Sequence, residues 1–464
     1  MSGAVRVAVV GGGLAGIAAA LACADAGAQV TLLESRPRLG GLTASFRRTT
    51  PHGVLDVDTG QHVFLRCCTA YRRLLDRLDV AGQVHLQPRL EIPVRAPGRA
   101  GTVRLTRSGA PAPLHLAGAL ARYGLLSPAD RLRAARGALA LRRVDRDRPA
   151  TDAQSFGSWL ARHGQNERTV AALWDLVGIA ALNAAADDAS LALAATVFQD
   201  GLLTDPAAGD IGWPLVPLGR LHGEAAARAL PAAGASVRTS ARVTGLVRDG
   251  GGWSVRVRGA GRAVEDGVPV DAVVLAVPPP VAEQLLPEGV TGRPPGWAGA
   301  LGAVPIVNVH VVLDRRVLDD PFVAGVGSPV QWVFDRTSQS GLRSGQYLAV
   351  SLSAAQAVLG RPTAEVLAAV LPALADLLPA VSGAEVRDAF VTREPNATFA
   401  PRPGCAAGRP GPRTRAPGVV LAGAWTATGW PATMEGAVRS GEAAAASLLL
   451  GVPAGPSVRE GVAA

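Results

Sequence analysis

The sequence predicts an α/β fold in which a parallel sheet is interleaved with a second, α+β domain. Three observations carry this. The apolar run Val5–Val10 ends in glycines, passes into a helix of small residues closed by Gly27, and resumes as "QVTLLE", which is a βαβ opening. Buried-strand patterns of the same kind return far along the chain as "VDAVVLAVPPP" and "GVVLAG". Finally, 464 residues exceed what one core holds, so two domains are expected.

Composition narrows the classes. Apolar residues make up 48% of the chain and aromatics 4%, so Ala, Val and Leu must build the core. The 46 basic residues include no lysine, which excludes a P-loop lysine, a Schiff-base lysine and a lysine general base together. A formal charge of +9 permits an anionic partner, but an arginine- and alanine-rich composition accounts for it as well, and no nucleic-acid partner is expected. Cys23, Cys67, Cys68 and Cys405 show no CxxC spacing, which points to a reducing compartment and no metal site. The N-terminus enters the first strand without a leader in the secretory order, so the cytoplasm is the expected location. The longest uncharged run, "APGVVLAGAWTATGWPATM", is broken by Gly and Pro and reads poorly as a membrane span.

Element by element, residues from Tyr71 to Gly157 read as loop-rich, with a basic segment from Arg122 to Arg148 that is a candidate for contact with an anionic membrane. From Ser155 to Leu203 the helical pattern dominates, and "LGRLHGEAAARAL" is a further helix. "ASVRTSARVTGLVRDGGGWSVRVRG" alternates as strand, Gly-rich hairpin and strand. Ile306–Val350 is strand-like, Thr363–Val381 helical, and the C-terminal helix puts Met434, Ala437, Val438, Gly441, Ala445 and Leu448 on one face. Residues 1–75, 215–285 and 400–450 form one expected domain, 76–214 and 286–399 the other, and 451–464 a tail.

"GGGLAG" supplies Gly11, Gly13 and Gly16 between a strand and a helix: a tight turn, a close backbone approach to a diphosphate, and a helix–strand contact. Glu34, ending the second strand, is the acceptor for an adenosine ribose. NAD(P) and FAD share these contacts, and Arg36 and Arg38 suit a 2′-phosphate. The adjacent Gly40 and Gly41 in "RLGGLTAS" favour a longer cofactor, since they let the chain pass close to its second half. An extended flavin needs a wall for its ring, and "GWPATMEGAVRSG" offers one. The helix start near Thr433–Glu435 presents free amides and a positive dipole end, suited to the anionic N1–C2 edge of a reduced flavin.

Taken together, "GGGLAG", Glu34, "RLGGLTAS", "VDAVVLAVPPP" and "MEGAVRSG" resemble the flavin amine oxidase and phytoene desaturase superfamily. "DTGQHVF", "RTVAALWDLVGIAALN" and "TGWPATMEGAVRSG" look most like its hydroxysqualene dehydroxylases, also called squalene-associated FAD-dependent desaturases. The resemblance implies a Rossmann-like FAD domain of the glutathione-reductase type with a β-meander. It implies that Gly11, Gly13, Gly16, Glu34, Arg38, Gly40 and Gly41 meet FAD, that Val243 meets the adenine through its backbone, and that Gly423, Thr433, Met434 and Glu435 lie by the ribityl chain and ring. Two departures stand out. Ala424 replaces the usual Asp after Gly423, leaving Trp425 and Thr426 to compensate, and Leu42 replaces a second arginine after the Gly-Gly pair.

The implied reaction is reductive removal of an allylic hydroxyl from a C30 isoprenoid, with electrons from a separate reductase or free reduced cofactor. His62 is the preferred proton donor because imidazole needs little tuning near neutral pH, Asp58 is its neighbour, and Trp430 offers a cation–π face to an allylic cation. Asp58 reads equally as a turn cap and His62 as a core histidine. Asn183 and Asp175 are polar enough to orient a hydroxyl, and the helices Thr169–Leu203 and Thr363–Val381 are candidate tunnel walls. A carotenoid-type desaturase and an amine oxidase remain alternatives, although the latter often needs a lysine. A prenyl-lipid binder that has lost FAD is the non-catalytic alternative.

Overall fold

The computed structural model describes residues 4–51, 53–259 and 264–450; the tail expected at 451–464 lies outside them. Its organising element is a five-stranded sheet with the spatial order Ser236–Arg238, Gln29–Leu33, Arg6–Val10, Ala272–Leu275, Val419–Leu421, every neighbouring pair parallel. Val7 to Val10 and Ala272 to Leu275 are buried, as continuous apolar runs in a sheet covered on both faces must be. Three distant stretches of chain therefore supply one sheet. The small-residue helix Leu14–Asp25 covers it, and the C-terminal helix Met434–Leu449 crosses that helix so closely that a Cβ on Gly441 would meet the Ala15 carbonyl. An antiparallel meander, Ala241–Asp249, Gly252–Gly259 and Val264–Val270, follows the edge strand.

The second sheet has seven strands in the order Val386–Thr398, Val304–Leu313, Gln346–Leu352, Trp332–Asp335, Phe322–Gly325, Glu91–Arg95, Val103–Thr106. Alternation assigns its faces. Val307, Val309, Val311, Val333, Leu348 and Val350 pack against Val366, Val370, Leu374 and Leu377 of the helix Thr363–Leu377. On the opposite face, Val312, Tyr347 and Phe390 meet Leu55 and Val57 of the hairpin Ser45–Thr50/Gly53–Asp58. The hairpin leads to the site, so the expected tunnel wall at Thr363–Val381 is corrected: that helix covers the far face of the sheet.

The segment 155–203 is helical, as its pattern requires, built around Phe156, Trp159, Trp174 and Phe198. Two of its turns are π-helical, Val170–Trp174 and Gln199–Leu203. The helix Asp175–Leu182 ends at Asn183 in the left-handed conformation, φ 57°. Asn183 donates to the Val304 carbonyl at 3.1 Å and to Thr398 Oγ1 at 3.0 Å, and accepts from the Ala354 amide at 2.7 Å; Asp175 accepts from the Ala186 amide at 3.0 Å. Both are occupied in joining elements, which corrects the expectation that they orient a substrate hydroxyl. In the basic segment, Pro128–Leu141 is a helix capped by Ser127 Oγ on the Asp130 amide.

Candidate functional site

The glycine motifs form one cradle. Gly11 has φ +105° and a Cβ there would strike the Ala276 carbonyl, while a Cβ on Gly16 would strike the carbonyl of Gly11. A Cβ on Gly41 would come within 2.9 Å of Gly13 Cα, and the Gly40 amide donates to the Gly12 carbonyl at 2.8 Å. Gly11, Gly13, Gly16, Gly40 and Gly41 thus converge at the carboxyl ends of the parallel strands, where open α/β sheets bind their ligands. Side chains at Gly11, Gly16 or Gly41 would push this backbone apart, and Gly13 leaves the strand ends uncovered, so the residues present fit the diphosphate of a dinucleotide.

Glu34 is buried. Its carboxylate accepts from the amides of Gly12 and Arg36, each at 2.7 Å, and from Ser35 Oγ at 3.1 Å. A carboxylate has about four acceptor positions, which leaves one for a ribose hydroxyl. Arg38 reaches the Gly41 carbonyl at 3.3 Å, and burial lowers its pKa. The Ala241 amide donates to the Glu34 carbonyl at 2.8 Å, which brings the start of the meander and its bulge at Val243/Gly245 beside the ribose end.

The other end of the cradle is closed by the C-terminal segment. Gly423, φ +143°, follows the last parallel strand, and its amide donates to Ser440 Oγ at 2.8 Å. Thr433 caps the C-terminal helix by accepting from the Gly436 amide at 3.1 Å; among the described residues the amides of Met434 and Glu435 keep no protein acceptor. The Glu435 side chain turns to a neighbouring helix. Its carboxylate accepts from the amides of Ala70 at 3.1 Å and Tyr71 at 2.7 Å and from Arg439 Nε at 2.7 Å, so it anchors the helix Thr69–Arg77. Trp425 and Thr426 do not replace the missing carboxylate through their side chains either: the indole donates to the Val277 carbonyl at 3.0 Å, and the hydroxyl to the Gly423 carbonyl at 2.9 Å.

Sequence reasoning missed Arg409. Only 4% exposed, it donates to the carbonyls of Ala424, Trp425, Thr426 and Trp430. Its number gives no hint of this, since it sits in the Pro/Gly-rich stretch "GRPGPRTRAPG" among other arginines.

The hairpin delivers Asp58, and the turn after it delivers His62. Asp58 is paired with Arg336 at 2.7 Å, the side chains 5% and 6% exposed, and also accepts from Ser45 Oγ at 2.6 Å and the Leu218 amide at 2.9 Å. Its carboxylate is consumed in holding three elements together, which corrects the expectation that it takes part in chemistry. Thr59 bonds its amide to the Ala44 carbonyl at 2.9 Å, fixing the following turn next to the Gly40–Gly41 motif. There, Gln61 Oε1 and His62 Nδ1 are buried without partners, as is Arg336 Nε. Burial, and then the Arg336 charge, push the His62 pKa from 6.5 down to about 4. The expectation of titration near neutrality therefore fails: the ring is neutral at pH 7.

A second histidine, not singled out in the sequence, lies nearby. His222 Nδ1 faces the Thr43 carbonyl at 3.3 Å, which fixes the proton there, so Tyr71 Oη donates to Nε2 at 2.8 Å. Burial lowers its pKa to about 4. Trp430, the expected cation–π face, already carries the Arg439 guanidinium 4.8 Å from its ring centroid, which corrects that assignment for the occupied face. Among the described residues no cluster of His, Cys, Asp or Glu could hold a metal ion, and no helix is long and apolar enough to cross a membrane. All four cysteines are free.

Comparison with known proteins places the chain in a family. Residues 14–449 match the family model described as flavin containing amine oxidoreductase. A hydroxysqualene dehydroxylase of Rhodopseudomonas palustris is 30% identical over 445 residues, 94% of this chain and 96% of that protein. Another, of Sinorhizobium fredii, is 34% identical over 270 residues, 58% of this chain; the match spans 59% of that relative's length. An oxidoreductase structure from Methanosarcina mazei superposes with a TM-score of 0.70 over 96% of this chain and 100% of that one, at 15% identity, and so shares the fold. The chain belongs to the flavin-containing amine oxidoreductase family, is similar within it to the hydroxysqualene dehydroxylases, and is an FAD-dependent oxidoreductase.

Proposed function

We propose that this enzyme reductively removes the allylic hydroxyl of hydroxysqualene to give squalene, a step of hopanoid or other triterpenoid synthesis. The observation that carries the reading is the unpartnered polar edge formed by Gln61 Oε1 and His62 Nδ1, held between the glycine cradle and the second sheet, in a chain similar end to end to hydroxysqualene dehydroxylases. Gly11, Gly13, Gly16, Glu34, Arg38, Gly40 and Gly41 hold the adenosine diphosphate half of FAD, the Val243 backbone its adenine, and Gly423 with the amides of Met434 and Glu435 its flavin half. When bound and reduced, FAD supplies the hydride.

The chain's own residues do the rest. His62, neutral at pH 7, hydrogen-bonds the departing oxygen through its ring nitrogen; as the carbon–oxygen bond breaks and the carbon takes up a hydride, the oxygen leaves as water with a proton drawn from solvent. Burial, with the Arg336 charge second, keeps the imidazole neutral, and Asp58 fixes Arg336. Phe322, Trp332, Phe334 and Trp213 provide an apolar wall for the isoprenoid and help exclude water. Residues 1–75, 215–285 and 400–450 serve the cofactor, and 76–214 and 286–399 the substrate. The exposed Leu132 and Leu139, with Arg136, Arg142 and Arg143 beside them, suit attachment to the anionic inner face of the membrane, and an external reductase or reduced cofactor restores the flavin.

The test is product analysis. Holoenzyme reduced anaerobically with dithionite and mixed with hydroxysqualene yields squalene, one per flavin; unchanged hydroxysqualene overturns the proposal. Oxidised enzyme that instead introduces double bonds into phytoene points to the desaturase reading.

A further inference from the structure

Arg409 is a buried cation with no acidic side chain in ion-pair contact among the described residues. The nearby Asp152 is occupied, accepting from Ser190 Oγ at 2.6 Å and the Ala406 amide at 2.9 Å. Two of its nitrogens, Nε and Nη2, are turned to one loop instead. Nη2 reaches the carbonyls of Ala424 at 3.2 Å, Thr426 at 2.5 Å and Trp430 at 2.8 Å, and Thr428 Oγ1 at 3.3 Å; Nε reaches the Trp425 carbonyl at 3.3 Å. Phe399 lies under it, 4.5 Å from ring centroid to Cζ. Burial lowers its pKa, but only to about 10, so it is charged at pH 7.

In a trans peptide the carbonyl and amide of one unit point in opposite directions. Turning the Ala424, Trp425 and Thr426 carbonyls toward Arg409 therefore turns the Trp425, Thr426 and Ala427 amides away from it. Those of Thr426 and Ala427 are taken by the Gly423 and Pro410 carbonyls, at 2.9 and 2.8 Å. The Trp425 amide keeps no protein acceptor among the described residues. Ala424 itself offers no side-chain donor or acceptor.

We propose that Arg409 is a positioning residue for the flavin: it orders the 424–430 loop so that the Trp425 amide faces the ribityl chain, and it sets a fixed positive charge behind that loop. The free amide supplies the loop's donor to that chain, and the charge favours the anionic reduced flavin over the neutral oxidised one. This rests on the reading of the loop as the flavin's wall. Lysine keeps the charge without the planar fork, and glutamine keeps neither, so the two separate the effects.

The experiment compares wild type, Arg409→Lys and Arg409→Gln by FAD titration of apoprotein followed by flavin fluorescence, and by the flavin midpoint potential. R409K is expected to bind FAD at least tenfold more tightly than R409Q and less tightly than wild type, with its flavin reduced at a higher potential than that of R409Q. If R409Q takes up no FAD, uptake by R409K gives the same ranking. Equal FAD affinity in the two variants, none included, or coincident potentials, would mean that Arg409 is only a structural brace and overturns the proposal. A wild-type protein that takes up no FAD overturns the flavin reading itself.

Discussion

The cofactor cradle and the reaction end of this enzyme are built in different ways. The cradle is backbone: Gly11, Gly16 and Gly41 lie where a Cβ has no room, and the one side chain that matters, Glu34, is 22 residues from the amide it binds. The reaction end is side chain on side chain, with Asp58 and Arg336 joined across 278 residues and Tyr71 and His222 across 151. A backbone site fails when something is added to it. A side-chain site fails when one member is taken away, because the partner is then left buried and unpaired.

That contrast sets the order of expected effects. Removing one partner of the buried pair, by Asp58→Leu or Arg336→Leu, costs about 3–5 kcal/mol, while the apolar double change recovers part of the loss; thermal melts of the three variants check this. Equal destabilisation by single and double changes would show that the pair is not acting as a unit. Gly16→Ala, which drives a methyl group into the Gly11 carbonyl, weakens FAD binding roughly 100-fold, or about 2.7 kcal/mol, measured by FAD titration. Wild-type affinity in that variant would break the backbone half of the comparison. The smallest effect is in pH. His222, fully buried, has its pKa lowered from 6.5 to about 4, so between those values the unfolded chain binds more protons than the folded one. Its contribution is complete above about pH 6.5 and is lost as the pH falls toward 4, by an amount on the order of 2–3 kcal/mol. His62 and His310 act in the same direction, and a Tm that stays constant from pH 6.5 to 4 would contradict this.

The same contrast explains what the sequence made legible. Glycine patterns constrain the backbone locally, so the βαβ opening, the cradle and the helix start at Thr433 were readable, and the parallel strands at Ala272–Leu275 and Val419–Leu421 followed from their apolar runs. Roles that depend on long-range partners were not. Nothing near Glu435 in the sequence announces that its carboxylate turns to the amides of another helix. His62 looked ready to titrate near neutrality because nothing in "DTGQHVF" announces its burial or the Arg336 charge beside it. Arg409 was invisible because a buried arginine and a surface arginine read alike in a chain that uses no lysine.

The most direct test of the whole account is anaerobic stopped-flow reoxidation of the reduced holoenzyme. Hydroxysqualene should restore the oxidised flavin band in one phase, with squalene formed in equal amount, and His62→Leu should slow that phase while FAD remains bound. Reoxidation that proceeds equally with squalene or buffer, or at the wild-type rate in H62L, would contradict the assignment of the 58–62 turn as the substrate's polar anchor.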